Sequence, residues 1–199
     1  MARWEPGTRA RLQAAALELY VTQGFEQTTV EEIARAVGLT ERTFFRHFAD
    51  KREVLFDPQN LLQQAFLDAV DAAPTDATPL EAVASALDTA AAFFGDERRS
   101  WSRRRQSVIT ANPALQEREL LKMAALETSV AQALRARGVG ERAAALAAGA
   151  CVSVFGVAFG QWIAEGEGRS LADIQREVLG ELGAVAAGLA AVASGRDRT

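Results

Sequence analysis

An all-α chain is predicted by three observations. Turn-forming breaks are few, the stretches between them carry apolar residues at helical spacing, and helix starts are marked by capping signatures. The breaks are Pro6-Gly7, Asp57-Pro58, residues 73–79, Asn112-Pro113 and the glycines at 138, 140, 166 and 168. Alternating β-branched residues, the mark of a half-buried strand, appear nowhere convincingly. Of 199 residues, 49% are hydrophobic and 24% charged, enough apolar material for a real core. The length suits a small domain joined to a larger one.

The first helix carries the stripe Leu12, Ala16, Leu19 and Tyr20. A second begins at Thr29, where a hydroxyl at the N-cap and Glu32 three residues on form a capping box, and it runs about two turns to Val37 with Ile33, Ala34 and Val37 on one face. Gly38 ends it because glycine takes the left-handed conformation at low steric cost, and Leu39 supplies an apolar plug. Thr40 caps a third helix, Glu41 to Phe48. Two short helices joined by a glycine turn make a helix-turn-helix, whose second member can enter a major groove.

Residues four apart share a helix face, so Phe44 and Phe48 point inward and Thr40, Arg42, Thr43 and Arg46 outward. Arg42 is the first choice for reading a guanine edge. Lys51, in the first turn of a helix started by Asp50 and Glu53, suits a phosphate oxygen. Eight basic side chains balance eight acidic ones through Phe56, so the net charge of -4 lies wholly beyond that point. Between residues 41 and 52 the balance is locally +2, a basic patch fit for a polyanion.

These residues resemble the tetracycline-repressor (TetR) family of bacterial transcription regulators. The resemblance covers about the first 56 residues: a helix from about Thr8 to Thr22, Gly24-Phe25, Thr28-Thr29-Val30, Ile33-Ala34, Val37-Gly38-Leu39-Thr40, the run Thr43 to Phe48, and Asp50 to Leu55. It implies DNA contacts at Thr29, Thr40, Thr43, His47 and Lys51. The position of Phe45 is often a tyrosine that binds a phosphate through its hydroxyl. Phenylalanine makes no such bond, but its ring can touch a thymine methyl or a sugar. A DNA-binding domain over 1–56 and a helical ligand-sensing and dimerisation domain over 57–199 are the expected division.

In the second part, Leu80, Val83, Leu87 and Phe94 form a stripe, and helices begin at Asn112-Pro113 and at Ser170 with Asp173. Between Arg142 and Glu165 lie 22 uncharged residues, a length that could span a membrane. Most are Ala, Gly or Ser and no second span accompanies them, so a helix sandwiched between its own core and a partner subunit is expected instead, with no membrane partner. Leu171, Ile174, Val178, Leu182, Val185, Leu189 and Val192 form a seam on the last helix, flanked by Gly180, Gly183, Ala184, Ala187 and Gly188. Gly149, Gly156 and Gly160 mark the helix before it, and a homodimer through these two helices is expected. Phe94, Trp101, Arg105, Met123, Phe155, Phe159 and Trp162 are the expected lining of a pocket for a small, largely apolar effector.

Catalysis is not expected. Cys151 sits in an apolar run, the single histidine belongs to the helix-turn-helix, and no phosphate loop, carboxylate cluster or zinc spacing is present, so no cofactor or metal is expected either. A lone cysteine and an N-terminus without an apolar run point to a cytoplasmic protein. The function read from these residues is a ligand-responsive regulator, most simply a repressor, that binds a near-palindromic double-stranded DNA operator as a homodimer and is released by its effector. The alternative is a helical protein-interaction module, which leaves Arg42, Thr43 and Lys51 unexplained.

Overall fold

A computed structural model describes residues 7–56 and 60–196, with side chains through Gly188. Among the described residues there are nine α-helices and no strand: α1 (Thr8–Thr22), α2 (Val30–Ala36), α3 (Glu41–Phe45), α4 (Leu61–Ala72), α5 (Pro79–Ala91), α6 (Asp96–Thr110), α7 (Pro113–Ala136), α8 (Glu141–Trp162) and α9 (Leu171–Arg196). A single 3-10 turn, Glu53–Leu55, lies between α3 and α4. Pro6, the Asp57-Pro58 break and the side chains of Leu189 and Val192 lie outside the described residues.

The helix starts follow the capping chemistry. At α2 the Glu32 N–H donates to Thr29 Oγ1 at 3.2 Å while the Thr29 N–H donates to Glu32 Oε2 at 2.8 Å, a full capping box. Those bonds from the Thr29 backbone and hydroxyl favour the charged form and hold the Glu32 carboxyl below its ordinary range. Thr78, Pro79 and Glu81 build a second box at α5 that the sequence reading passed over. At Ser170 the Asp173 N–H donates to Oγ at 3.1 Å, but the carboxylate answers through the Ser170 hydroxyl rather than the backbone.

Three expectations are corrected. The third helix is α-helical only to Phe45, and a turn carries the chain through Arg46 and His47 to Phe48. Asp50 accepts from the backbone N–H groups of Arg52 and Glu53 at 2.7 and 3.1 Å, but what it starts is the 3-10 turn, too short for an α-helix. Leu80, expected on the buried stripe of α5, is half exposed because it falls in the first turn, away from the face that buries Val83 and Leu87.

The chain divides into two compact units, and the first is discontinuous. It comprises the described residues up to Leu61 together with Trp101–Lys122. Its core joins Leu12, Ala16, Leu17 and Tyr20 of α1 to Phe25, Ile33, Ala34, Phe44, Phe48, Val54, Leu55 and Phe56, and is completed by Val108 and Ile109 of α6 and Leu115 of α7. Arg105 donates through Nε to the Leu55 carbonyl at 2.7 Å and through Nη1 to Glu119 at 2.9 Å, with its guanidinium 5.0 Å from the Phe56 ring centre. Glu53 receives Arg118 and lies 3.7 Å from the Lys122 ammonium. These bonds explain why residues 101–122 belong with the first unit rather than with the contiguous 57–199 block expected.

The second unit takes Leu62–Ser100 and the described residues from Met123 onward. Its core gathers Phe66 and Val70 of α4, Val83 and Leu87 of α5, Leu126, Val130 and Leu134 of α7, Cys151, Val154, Phe155 and Trp162 of α8, and Leu171 and Ile174 of α9. Ala144, Ala147, Ala148 and Ala158 line the buried face of α8, and such small side chains let helix backbones approach closely. Arg137 donates to the carbonyls of Asp71, Ala73 and Pro74, closing the C-terminal end of α4 with a cation. Among the described residues α8 is the one helix long and apolar enough to cross a membrane, and its buried face contributes to this core.

Candidate nucleic-acid interface

The turn between α2 and α3 is fixed by backbone geometry. Gly38 has φ +71°, its N–H donates to the Arg35 carbonyl at 3.0 Å, and the Leu39 N–H reaches back to Ala34 at 2.9 Å. This paired closure is the Schellman motif, which satisfies helix-end carbonyls and reverses the chain sharply. Arg11 adds a clamp by donating from Nη2 to the Val37 carbonyl at 2.6 Å. Thr40 then receives the Thr43 N–H at 3.4 Å to start α3, with the two threonine hydroxyls 3.2 Å apart.

α3 is held from behind by aromatic packing. Phe44 and Phe48 are buried, with ring centres 5.3 Å apart, as the four-residue spacing required. Outward stand Thr40, Arg42, Arg46 and Phe45, the last 54% exposed and edge-on to Phe44, while Thr43 is partly covered. Among the described residues neither the Arg42 nor the Arg46 guanidinium has a hydrogen-bond or ion-pair partner. Thr29 is exposed on the neighbouring α2 cap, though its hydroxyl already serves Glu32. Cationic forks and hydroxyls presented on one short helix can bond base edges and phosphate oxygens.

One of the expected contact residues, Lys51, has another occupation, and a second, His47, is partly covered. Lys51 Nζ donates to the carbonyls of Phe25 at 2.9 Å, Glu26 at 3.2 Å and Thr28 at 3.2 Å, and lies 4.4 Å from the Phe25 ring centre. An ammonium has three protons, so none is left over for the phosphate expected of it. Its own carbonyl accepts the Tyr20 hydroxyl at 2.6 Å. His47 is partly covered, its Nε2 is buried without a partner, and its carbonyl accepts Arg9 Nη2 at 3.4 Å while the Arg9 guanidinium lies over Phe48. Arg9, Arg11 and this use of Lys51 were missed in sequence because carbonyl partners far along the chain leave no residue pattern.

In the second unit, Phe94, Phe155, Phe159 and Trp162 do come together. Phe94 is 5.3 Å from Phe159 and 5.8 Å from Trp162 by ring centres, and Phe155 stacks on Phe159 at 5.8 Å. Met123 packs against the same core. Trp101 and Arg105 do not join them and are corrected as pocket residues: Trp101 packs on the core of the first unit, and Arg105 is tied there to Leu55 and Glu119. Burial moves the Arg105 pKa down, with Glu119 opposing the shift. Burial also raises the Cys151 thiol to about 12, well away from a thiolate at neutral pH.

Comparison with known proteins bears on both units. The family described as bacterial regulatory proteins, tetR family, matches residues 12–57, and the MftR C-terminal domain family matches residues 77–187. The HTH-type transcriptional regulator TcmR of Streptomyces glaucescens is 49% identical over 80 residues, 40% of this chain and 35% of TcmR, so the similarity spans about a third of that protein. The transcriptional regulator MftR of Mycobacterium tuberculosis is 28% identical over 137 residues, 67% of each protein. The fold is similar to that of FadR from Thermus thermophilus, a TetR-family repressor solved in complex with lauroyl-CoA, with TM-score 0.51, 22% identity, and coverage of 86% of this chain and 91% of that one.

Proposed function

The chain belongs to the tetR family of bacterial regulatory proteins, and from that membership as a DNA-binding regulator we propose that it is a ligand-responsive repressor acting in the cytoplasm. It binds a near-palindromic operator as a homodimer and leaves it when a small, largely apolar effector binds the second unit. The observation that carries this reading is the unpartnered pair of Arg42 on a short helix and Arg46 at its C-cap, backed by buried Phe44 and Phe48. Thr40, Thr43, Phe45 and Arg46 join Arg42 as contact residues, with Thr29 and His47 at the edges. Lys51 acts indirectly, by holding the backbone between α1 and α2.

Dimerisation through α8 and α9 is supported by the faces left uncovered in the single chain. Leu146, Val157 and Val185 are 77%, 59% and 63% exposed, and Gly156, Gly160, Gly180 and Gly183 are exposed beside them. The near half of the α9 seam, Leu171 and Ile174 with Val178 and Leu182 partly covered, serves the core of the unit, so among the described seam residues Val185 is the one left exposed for a partner. The aromatic group around Phe94 and Trp162 supports the effector, and FadR's complex with lauroyl-CoA supplies a precedent in a protein of similar fold.

The test is selection of bound fragments from the host genome, followed by titration at increasing salt. An inverted repeat with half-sites centred about 34–36 Å apart, or a multiple, is expected, together with steep weakening as salt rises. Binding that ignores every duplex in dilute buffer would instead favour a protein-interaction module.

A further inference from the structure

Gln175 stands on α9 one turn in from Leu171, is 1% exposed, and neither atom of its amide has a hydrogen-bond partner. Trp162, the last residue of α8, is completely buried and its indole N–H is also unpartnered. α8 and α9 pack on each other and are joined by residues 163–170, so both groups lie at the same end of the helix pair. Leaving a buried amide or indole N–H unpaired is costly, because the group gives up its bonds to water and gains none in return. A leucine at 175 would be more stable in an apolar core, so the polar groups call for a partner that arrives from outside.

The surroundings define that partner. Phe155 and Phe159 stack with planes 23° apart, and Phe94 meets Trp162 edge-on at 5.8 Å. Arg99 lies 5.2 Å from the Trp162 ring centre, with Nη groups held by the carbonyls of Glu167 and Arg169 and by Asp96. Its cation is thereby neutralised by fixed partners rather than offered to an anion, while its Nε remains unpartnered. Rings gathered at this end of the core are the neighbours a flat apolar body packs on best, and an indole N–H donor together with an amide that donates and accepts suits an oxygen that does both.

We propose that Gln175 and the Trp162 indole N–H form the polar anchor of a site in the second unit for a small planar aromatic molecule bearing a hydroxyl group. This names the ligand class for the effector-binding role assigned above and rests on it.

The experiment compares 2-naphthol with naphthalene on the full chain, following the Trp162 indole N–H by NMR, assigned through Trp162→Phe. 2-Naphthol is expected to shift that resonance at one molecule per chain and to bind at least about tenfold tighter than naphthalene, the value of one satisfied buried hydrogen bond. Gln175→Leu and Gln175→Met are expected to melt no lower than the parent and to bind both compounds alike. An unmoved Trp162 resonance at saturating 2-naphthol overturns the anchor, as does a preference that survives in both variants. So does a large fall in melting temperature for both, which would show Gln175 held by the fold itself. If 2-naphthol shifts Trp162 yet leaves operator DNA bound, the anchor stands and the effector role fails. If another compound releases DNA equally from parent and Gln175→Leu, the effector role stands and the anchor fails.

Discussion

The Lys51 ammonium lies 4.4 Å from the centre of the Phe25 ring and donates to the Phe25 carbonyl at 2.9 Å. Two further bonds, to Glu26 and Thr28, make it a knot for the backbone that leads from α1 into α2. Tyr20 returns the favour by donating to the Lys51 carbonyl, and its ring meets Phe25 edge-on at 5.1 Å. Thus a cation that follows the recognition helix in sequence orients the helix-turn-helix from within.

Lys51→Met should therefore destabilise the chain by about 2 kcal/mol, the scale of charge-assisted hydrogen bonds to carbonyls. Urea denaturation measures it. DNA affinity should fall while the dependence of log affinity on log salt keeps its slope. A slope reduced by about one unit would assign Lys51 to a phosphate.

Arg42→Ala should lose about 1–3 kcal/mol of binding on the operator and much less on scrambled duplex, because a free guanidinium on the outer face of α3 is placed for a base edge. Fluorescence anisotropy on both duplexes decides. Equal losses would move Arg42 to the sugar-phosphate backbone.

Gly38→Ala tests the turn. The φ of +71° disfavours any side chain, yet a Cβ there meets nothing within 4 Å. The cost should be that of the left-handed backbone alone, about 1–2 kcal/mol, read from the shift in denaturation midpoint. A larger loss would mean that α2 and α3 must move to accept the methyl.

Residues 7–61 alone should not fold. Val108, Ile109 and Leu115, all buried in the core of the first unit, would be missing, along with the Arg105 bond to Leu55. Burying aliphatic side chains of this size is worth about 1.5–3 kcal/mol each, a large share of the stability of so small a domain. Circular dichroism with NMR amide dispersion is the check, and a well-dispersed spectrum from that fragment would contradict the discontinuous core.

The helix-turn-helix was legible because its determinants are local: Thr29 with Glu32, Gly38 and the Phe44–Phe48 spacing each act within a few residues. What escaped the sequence is non-local. Trp101 and Arg105 sit near Phe94 in the chain but are used by the first unit, since a four-residue step along α6 says nothing of which core receives it. Likewise nothing in the sequence says which acids the neighbouring arginines take: Arg104 pairs with Glu18 and Arg105 with Glu119. Gln175 gave no signal because a glutamine is ordinary on a helix until its burial is known.

Acid should weaken the connection between α8 and α9 at an identifiable carboxylate. Glu167 receives the Arg169 side chain and the backbone N–H groups of Arg169 and Gly168, and the Arg169 bonds hold its pKa at about 2, below the usual carboxylate range. A carboxyl whose folded pKa is depressed contributes stability in full above its unfolded pKa near 4.5 and loses it as pH falls toward the folded value. Because the Glu167 side chain is only partly covered and Arg169 is exposed, solvent screens the pair and the effect is small. The parent should be more stable than Glu167→Gln at pH 6, and the gap should close steadily between about pH 4.5 and pH 2. Urea midpoints at intervals across that window test this, with a carbon-detected NMR titration of the Glu167 carboxyl as the direct reading. A gap that stays constant with pH would show that the loop is held by the Arg99 bonds to the Glu167 and Arg169 carbonyls, which protonation leaves untouched.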